Sequence, residues 1–467
     1  MSRKRAVGMA CQPTRQVCSH EGGINKMATS PFAQAVAFDY DPGHGLHMIS
    51  GAFVRPWEFA GWKSESLSWK RGCYIHAGLS GEGARLRYHG PQAAEFLASI
   101  CTNSMATFRV GRAKHVVMCT SDGLIAAHGI LQRLAEDDFR LFASGPWAAF
   151  QHSKTAFDVQ QTIETPFLFQ VAGPKSLDVL NDVSGDDLGD IGFLRFRDTT
   201  IAGHRVQVMR AGMAGTLAYE LHGPIEAGPE IFRRVVAAGE PHGIQRLGWK
   251  TYPVNHVEGG FPQATWTFAS AAPEEPGFLD YVSGSQGTRW RDPAVSGSAD
   301  HADMRARYRT PSEVGWENSV RFDHDFLGRA AVELDLADAR RTIVTLEWNP
   351  QDIIDIYASL FEEGEEYEYV ELPSSPHFRL ALAHADRVLV GGRDVGVASG
   401  LAYSYWYRKM LSHCTIDRAC AEIGTDVTVL WGNPGGRIKE VRARVARFPY
   451  LDKDRNQSVQ TASDGAR

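Results

Sequence analysis

Two stretches of this chain carry residue types at spacings that could do chemistry. The first is Arg210–Leu221, RAGMAGTLAYEL, where Gly212 and Gly215 interrupt a strand-like apolar run and one carboxylate, Glu220, stands between Tyr219 and Leu221. A carboxylate among apolar neighbours has two outcomes. It faces water from an edge strand, since Glu is rarely fully buried, or it accepts a flat two-pronged donor such as a guanidinium or the amino and ring N–H edge of a pterin. The second stretch is Leu247–Phe261, LGWKTYPVNHVEGGF, which sets a phenol, Tyr252, four residues before an imidazole, His256, and six before a carboxylate, Glu258. A phenol of pKa about 10 either fills a core with its hydroxyl satisfied or hands a proton to a leaving group of matching basicity. His256 is in the same way either a structural imidazole or one that tunes Tyr252 or meets a substrate.

The elements that must position these residues alternate. From Cys73 to His89 the sequence alternates into a strand, LRYH, and Gly90-Pro91 then opens a helix whose apolar Ala94, Phe96, Leu97 and Ile100 recur at helical spacing. HVVMCTS and LIAAHGILQRL are two strands joined by the turn signal Asp122-Gly123, and FRLFAS is a third that ends at Gly145-Pro146. A second cycle starts at Phe167: strand, a helix after Gly173-Pro174, IAGHRVQVMR as one strand, LAYELHG, and a helix around Glu230 to Ala238. Antiparallel strands with covering helices argue for an α+β fold rather than a parallel wound sheet. GLSGEG at Gly78 lacks the glycine spacing and the strand-turn-helix setting of a dinucleotide loop. Met48 to Glu65 reads as an aromatic loop broken at Pro56, with Arg55 pushed to extended geometry by the proline that follows it. Ser283 to Arg309 is polar and reads as a surface insertion or lid. Beyond Arg329, short β-rich segments with Gly turns suggest a small barrel, and the acidic run from Glu362 to Glu368 a solvated loop. The expected division is a flexible extension over 1–26, with Met27 as an alternative start, a domain over 27–335, a β-barrel over 336–452 and a disordered tail over 453–467.

Composition narrows the classes of function. With 43% hydrophobic and 22% charged residues the chain is an ordinary globular one, and 49 Lys+Arg against 55 Asp+Glu leave a net charge of −6, so nothing invites nucleic acid or an anionic membrane. No apolar run reaches the roughly 18 to 20 residues of a bilayer span, and Arg3, Lys4 and Arg5 are followed by no apolar signal segment. Seven scattered cysteines fit reduced thiols in a cytoplasmic protein. Cys11, Cys18 and His20 match no zinc spacing, so no metal is expected.

The pattern of RAGMAGTLAYEL resembles the folate-binding signature of the glycine-cleavage aminomethyltransferase family. HGPQAAEFLASICTNSM from His89, FQVAGPKSLDVL from Phe169, RFDHDFLGRAAVE from Arg321, GTDVTVLWG from Gly424 and RARVARFPYL from Arg442 are similar to segments of that family in the same order, from about Gly51 to Leu451. The resemblance implies a folate-binding α+β domain of antiparallel sheets and helices over 27–335, followed by the small β-barrel. Its cofactor would be tetrahydrofolate, with Glu220 holding the pterin. Members that release ammonia carry a carboxylate pair in the hairpin that here reads GLIAAHGIL, and those positions fall on Ala127 and His128, which speaks against a glycine-cleavage role.

A branch that resembles this chain more closely, in FDHDF, IYASLF, TVLWG and TYPVNHVEGG, is the tetrahydrofolate-dependent aromatic O-demethylases acting on methoxylated benzoates such as vanillate, syringate and dicamba. That likeness implies Tyr252 as the catalytic acid, with His256 beside it, Gln170 as a pterin contact and Phe261 as the pterin-stacking aromatic. Met213 completes the cofactor set. The substrate side departs from the branch. The arginine that clamps the carboxylate in vanillate-type members falls on Ser144, their histidine in the Gly78 to Gly83 region has no counterpart, and Arg55 replaces a tyrosine. A re-built pocket is therefore expected, with the carboxylate meeting Arg55 or a polar site near Ser144, His76 or His256, as a dicamba-like ortho-methoxybenzoate would need. The expected partner is thus a small methoxylated aromatic acid, turned into its phenol with 5-methyltetrahydrofolate by a monomer or homodimer. Vanillate or syringate as substrate, a sulfonium or methylamine donor, and a folate-binding module without catalysis stay open.

Overall fold

The computed structural model describes residues 45–50, 53–78, 84–143, 145–285, 294–374 and 383–451. All of these belong to one compact unit, Gln34–Arg467. Two sheets carry the first part. One has six strands in the order Phe196–Ile201, His204–Met209, Ala218–Pro224, Pro166–Ala172, Cys73–His76 and Ile244–Arg246, antiparallel except for the last pair. Side chains alternate across a strand. One face therefore presents Ile75, Phe169, Val171, Val208, Tyr219 and Leu221, buried under Leu177, Val179 and Leu180 of helix Ser176–Ser184 and Ile231, Phe232 and Val235 of helix Gly228–Gly239. Each such side chain contributes roughly 1.5–3 kcal/mol on leaving water. The opposite face carries Tyr74, His76, Leu168, Gln170, Glu220 and His222, and it is buried as well.

The second sheet runs Arg112–Cys119, Ile125–Ala135, Asp138–Ala143, Ala84–His89 and Gln160–Glu164, antiparallel throughout. Leu86, Tyr88, Leu131, Phe139 and Leu141 pack with Phe96 and Leu97 of helix Ala93–Ile100 and with Trp147 and Phe150 of helix Trp147–Ser153. Its other face looks toward the first sheet: Gln132 Nε2 donates to Gln207 Oε1 at 2.8 Å, and Arg140 Nη1 donates to the same oxygen at 3.3 Å. Both sheets thus turn their helix-free faces inward. A closed six-stranded barrel follows, in the order Arg341–Trp348, Lys409–Asp417, Arg393–Ser404, Asp386–Val390, Asp426–Trp431 and Lys439–Ala446.

Three sequence expectations need correction. IAGHRVQVMR is not one strand. Ala202 and Gly203 both take positive φ, 52° and 80°, which is the geometry of a two-residue hairpin turn, and the chain reverses there between Ile201 and His204. Met48 to Glu65 is not a loop; strands Leu46–Ser50 and Phe53–Glu58 pair, and helix Trp62–Arg71 follows. The part of 283–309 that is described is no solvated lid. Val295–Ser296 pairs in parallel with Ala383–His384, and Arg307 and Arg309 are buried, with Arg307 Nε donating to Ala383 O at 2.9 Å. An arginine satisfied by backbone carbonyls can be buried where sequence polarity suggests water.

Candidate functional site

Register places the first group of residues. Met209, Glu220, Gln170 and His76 stand opposite one another in neighbouring strands, so their side chains form one row on the helix-free face. The row is buried: Gln170 is 1% exposed and Glu220 7%. His222 Nε2 comes to 3.3 Å from Glu220 Oε2 but out of line for a hydrogen bond, so that carboxylate oxygen has no hydrogen-bond partner among the described residues. Burial holds the His222 imidazole below its ordinary pKa.

Beside the row runs the helix Pro253–Gly259. Tyr252 N donates to Gly248 O at 3.1 Å, and Pro253 takes the first helical position, where its missing N–H costs nothing. Gly260, at φ 59°, ends the helix and lets Phe261 N reach His256 O at 2.9 Å. Gly259 is required by packing: a Cβ there would stand 1.9 Å from Met213 O. The RAGMAG loop and the Tyr252 helix therefore touch backbone to backbone, which brings the two chemistry-bearing stretches together and places Met213 at their contact.

Tyr252 is buried and stacks flat on His76, with ring centroids 4.0 Å apart and planes 8° from parallel. His76 Nδ1 lies 2.9 Å from Leu247 O, which can only accept, so the proton sits on Nδ1 and Nε2 is left as an acceptor. Burial lowers the His76 pKa to about 4 and that of His256 to about 3, so both rings are neutral near pH 7. Trp249 meets both His76 and Tyr252 edge-on at 5.3 and 5.5 Å, and the Arg55 guanidinium lies 5.7 Å from the Trp249 ring centre. Arg55 thus approaches the site through Trp249, while Ser144 lies outside the described residues.

Phe261 sits in an aromatic box of His115, His128, His256 and Trp316 at 5.4 to 6.0 Å. On the strand Ile125–Ala135, His128 Nε2 accepts the Ala264 N–H at 3.2 Å, so its Nδ1 carries the proton and points it at His115 Nε2, 3.2 Å away. Burial keeps His128 neutral. Glu258 is occupied elsewhere: Lys70 Nζ is 2.8 Å from its Oε2, Trp69 Nε1 donates to the same oxygen at 3.2 Å, and Ser404 donates to Oε1. It joins helix to barrel.

Sequence reasoning missed Tyr74 and Asn255. The Tyr74 hydroxyl donates to Gln170 Oε1 at 2.6 Å and accepts from Asn255 Nδ2 at 3.2 Å. Asn255 lies one helical turn after Tyr252, a spacing that puts both on one face, and that was the only available signal. Gln170 Nε2, Asn255 Oδ1, His76 Nε2 and Glu220 Oε2 are buried without hydrogen-bond partners among the described residues. One donor and several acceptors left unsatisfied on one buried face suit a flat heterocycle with an amino group, ring N–H groups and a carbonyl, and a pterin has that edge. Among the described residues no cluster of three His, Cys, Asp or Glu could hold a metal, and no helix is long and apolar enough to cross a membrane.

Residues 48–267 match the family of the GCVT N-terminal domain. Over 420 residues the chain is 35% identical to a sesamin methylene transferase of Sinomonas, with 87% of this chain and 93% of that protein covered. Over 426 residues it is 30% identical to a syringate O-demethylase of Sphingobium, covering 85% and 89%. Among solved structures, the glycine cleavage system aminomethyltransferase T of Bartonella henselae superposes with a TM-score of 0.64 at 15% identity, over 88% of this chain and 95% of that one, which shows the fold.

Proposed function

This chain belongs to the GCVT family and is a tetrahydrofolate-dependent one-carbon transferase, and we propose that it takes its carbon from an aromatic ether, O-demethylating a methoxybenzoate. The observation that carries the proposal is the juxtaposition of the Glu220–Gln170 row with the stacked pair of Tyr252 and His76. Tetrahydrofolate, when bound, supplies a neutral amine nitrogen, N5, as the methyl acceptor and leaves as 5-methyltetrahydrofolate. In this reading Glu220 would accept from the pterin's amino group and ring N–H, Gln170 would donate to its carbonyl, and Phe261 would supply the aromatic surface for the ring. These contacts act through alignment, which is worth several kcal/mol of barrier when reacting atoms are held in line.

Tyr252 is the proton donor. As the methyl–oxygen bond breaks, the bonding pair stays on the aryl oxygen and the Tyr252 hydroxyl supplies its proton, phenol to phenol; the proton released at the acceptor amine balances it. The neutral His76 beneath the ring fixes its plane without adding a charge. Arg55, reached across Trp249, is the proposed partner of the substrate carboxylate, and an ortho-methoxybenzoate of the dicamba kind is the proposed substrate.

A second reading is transfer of a methylene group from a methylenedioxyarene without a carboxylate. It is favoured by the 35% identity to sesamin methylene transferase and by the neutral imidazoles His76, His128 and His256 around the site. One experiment separates them. The full chain is incubated anaerobically with tetrahydrofolate and with ortho-, meta- and para-methoxybenzoates or sesamin, and products are identified by mass. A phenol with 5-methyltetrahydrofolate supports the first reading, and a catechol with methylenetetrahydrofolate the second. No turnover with bound folate would overturn both.

A further inference from the structure

We propose that the Tyr74 hydroxyl is a single-proton relay that fixes which way the amides of Gln170 and Asn255 face, and so sets the preference of the site for a 4-oxo pterin over a 4-amino one. The inference rests on the reading of Gln170 and Glu220 as pterin contacts. A phenol has one hydrogen. Between two amides it donates to one carbonyl oxygen and accepts from the other's NH2 group, so the two amides must present opposite ends to it. The distances choose the direction: 2.6 Å to Gln170 Oε1 suits an O–H donor, and 3.2 Å from Asn255 Nδ2 suits a longer N–H donor. Gln170 stands opposite Glu220 in the register, so turning Oε1 away also avoids setting a carbonyl dipole against a carboxylate.

The consequence falls on the atoms that remain. Gln170 shows a donor, Nε2, and Asn255 an acceptor, Oδ1; both residues are 1% exposed and neither atom has a hydrogen-bond partner among the described residues. A pterin 4-carbonyl accepts from the Gln170 donor, whereas a 4-amino group meets it donor to donor. Asn255, on the face that carries Tyr252, becomes a further binding residue that accepts from a donor of cofactor or substrate. Tyr74 is a positioning residue, since it acts through Gln170 and Asn255.

The test is a fluorescence titration, under anaerobic conditions, of the full chain and of Tyr74→Phe and Asn255→Leu with tetrahydrofolate and its 4-amino-4-deoxy counterpart. Thermal melts confirm that each variant is folded. The wild type is expected to favour the 4-oxo form. Either variant frees the Gln170 amide to turn its oxygen outward and reduces that preference by about tenfold, the value of one hydrogen bond between correct and mismatched partners. A merely structural role would weaken both ligands alike and leave the ratio where it was. Wild-type ratios in both folded variants would therefore overturn the relay with the folate site intact. A wild type that binds neither pterin would instead overturn the cofactor contacts on which the inference rests.

Discussion

Tyr252 is held from three sides by rings: His76 beneath it, Trp249 and His256 at its edges. Tyr252→Phe keeps that packing and removes the proton alone, so single-turnover rates should fall by about 10²–10⁴-fold while folate affinity holds. A variant as fast as the parent would take Tyr252 out of the chemistry. Glu220→Gln tests the other half of the site. It exchanges a charged acceptor for a neutral amide and should weaken tetrahydrofolate by about 10- to 100-fold in a titration, the worth of a charge-assisted bond. Motif likeness named Gln170, Glu220 and Tyr252 from the sequence, and strand order sets the first two side by side. Tyr74 was not legible, because its role exists only where one hydroxyl bridges amides 96 and 181 residues away.

Glu258 shows how an element is fastened to its neighbours. Its carboxylate is 1% exposed and serves Lys70, Trp69 and Ser404 at once, tying the Tyr252 helix to the helix Trp62–Arg71 and to the barrel strand Arg393–Ser404. Glu258→Ala would leave the Lys70 ammonium, 10% exposed, with the Tyr407 ring 5.1 Å away and no carboxylate. Urea unfolding should register a loss of about 3–5 kcal/mol, as for other buried pairs broken on one side. The exposed pair of Lys175 and Asp178, at 3.1 Å, contributes less than about 1 kcal/mol. If Glu258→Ala costs no more than Asp178→Ala, Glu258 does not fasten these elements. Elements with strong periodicity were legible in the sequence, among them the helix Ala93–Ile100 and the hairpin at Gly123. The turn at Ala202-Gly203 was not, because Ala gives no sign of the left-handed geometry it takes there. The tether at Val295–Ser296 was hidden for another reason: it pairs with a strand 88 residues later, beyond the reach of any local pattern.

Across the whole molecule the neutral histidines set a pH limit. His76 lies in the first sheet, His128 in the second and His256 in the helix between them, and all three are buried with pKa values pulled down by loss of water. In the unfolded chain each returns to about 6.5. Between the folded and unfolded values the unfolded state binds more protons, so stability rises with pH. The contribution is therefore fully present above pH 6.5 and is lost as pH falls through 6.5 toward the folded values of about 4 for His76 and about 3 for His256. Near pH 5 His76 and His256 each take up close to one proton on unfolding, a slope of about 1.4 kcal/mol per pH unit per histidine, and His128 adds in the same direction. Glu65 works against this: burial raises its carboxyl, so acid relieves part of its cost. Burial raises the Asp386 carboxyl too, while His222 and His384 are lowered like the other three rings, so five imidazoles face two carboxyls and the imidazoles prevail. Urea midpoints should stay level from pH 8 to 7 and fall steeply from pH 6 to 5, against a total stability of about 5–15 kcal/mol. His76→Asn should flatten part of that fall, since an amide can keep the bond to Leu247 O and has no proton to gain. A parent protein equally stable at pH 7 and pH 5 would mean that these rings are not neutral in the fold, and the stacking of an uncharged His76 beneath Tyr252 would fall with it.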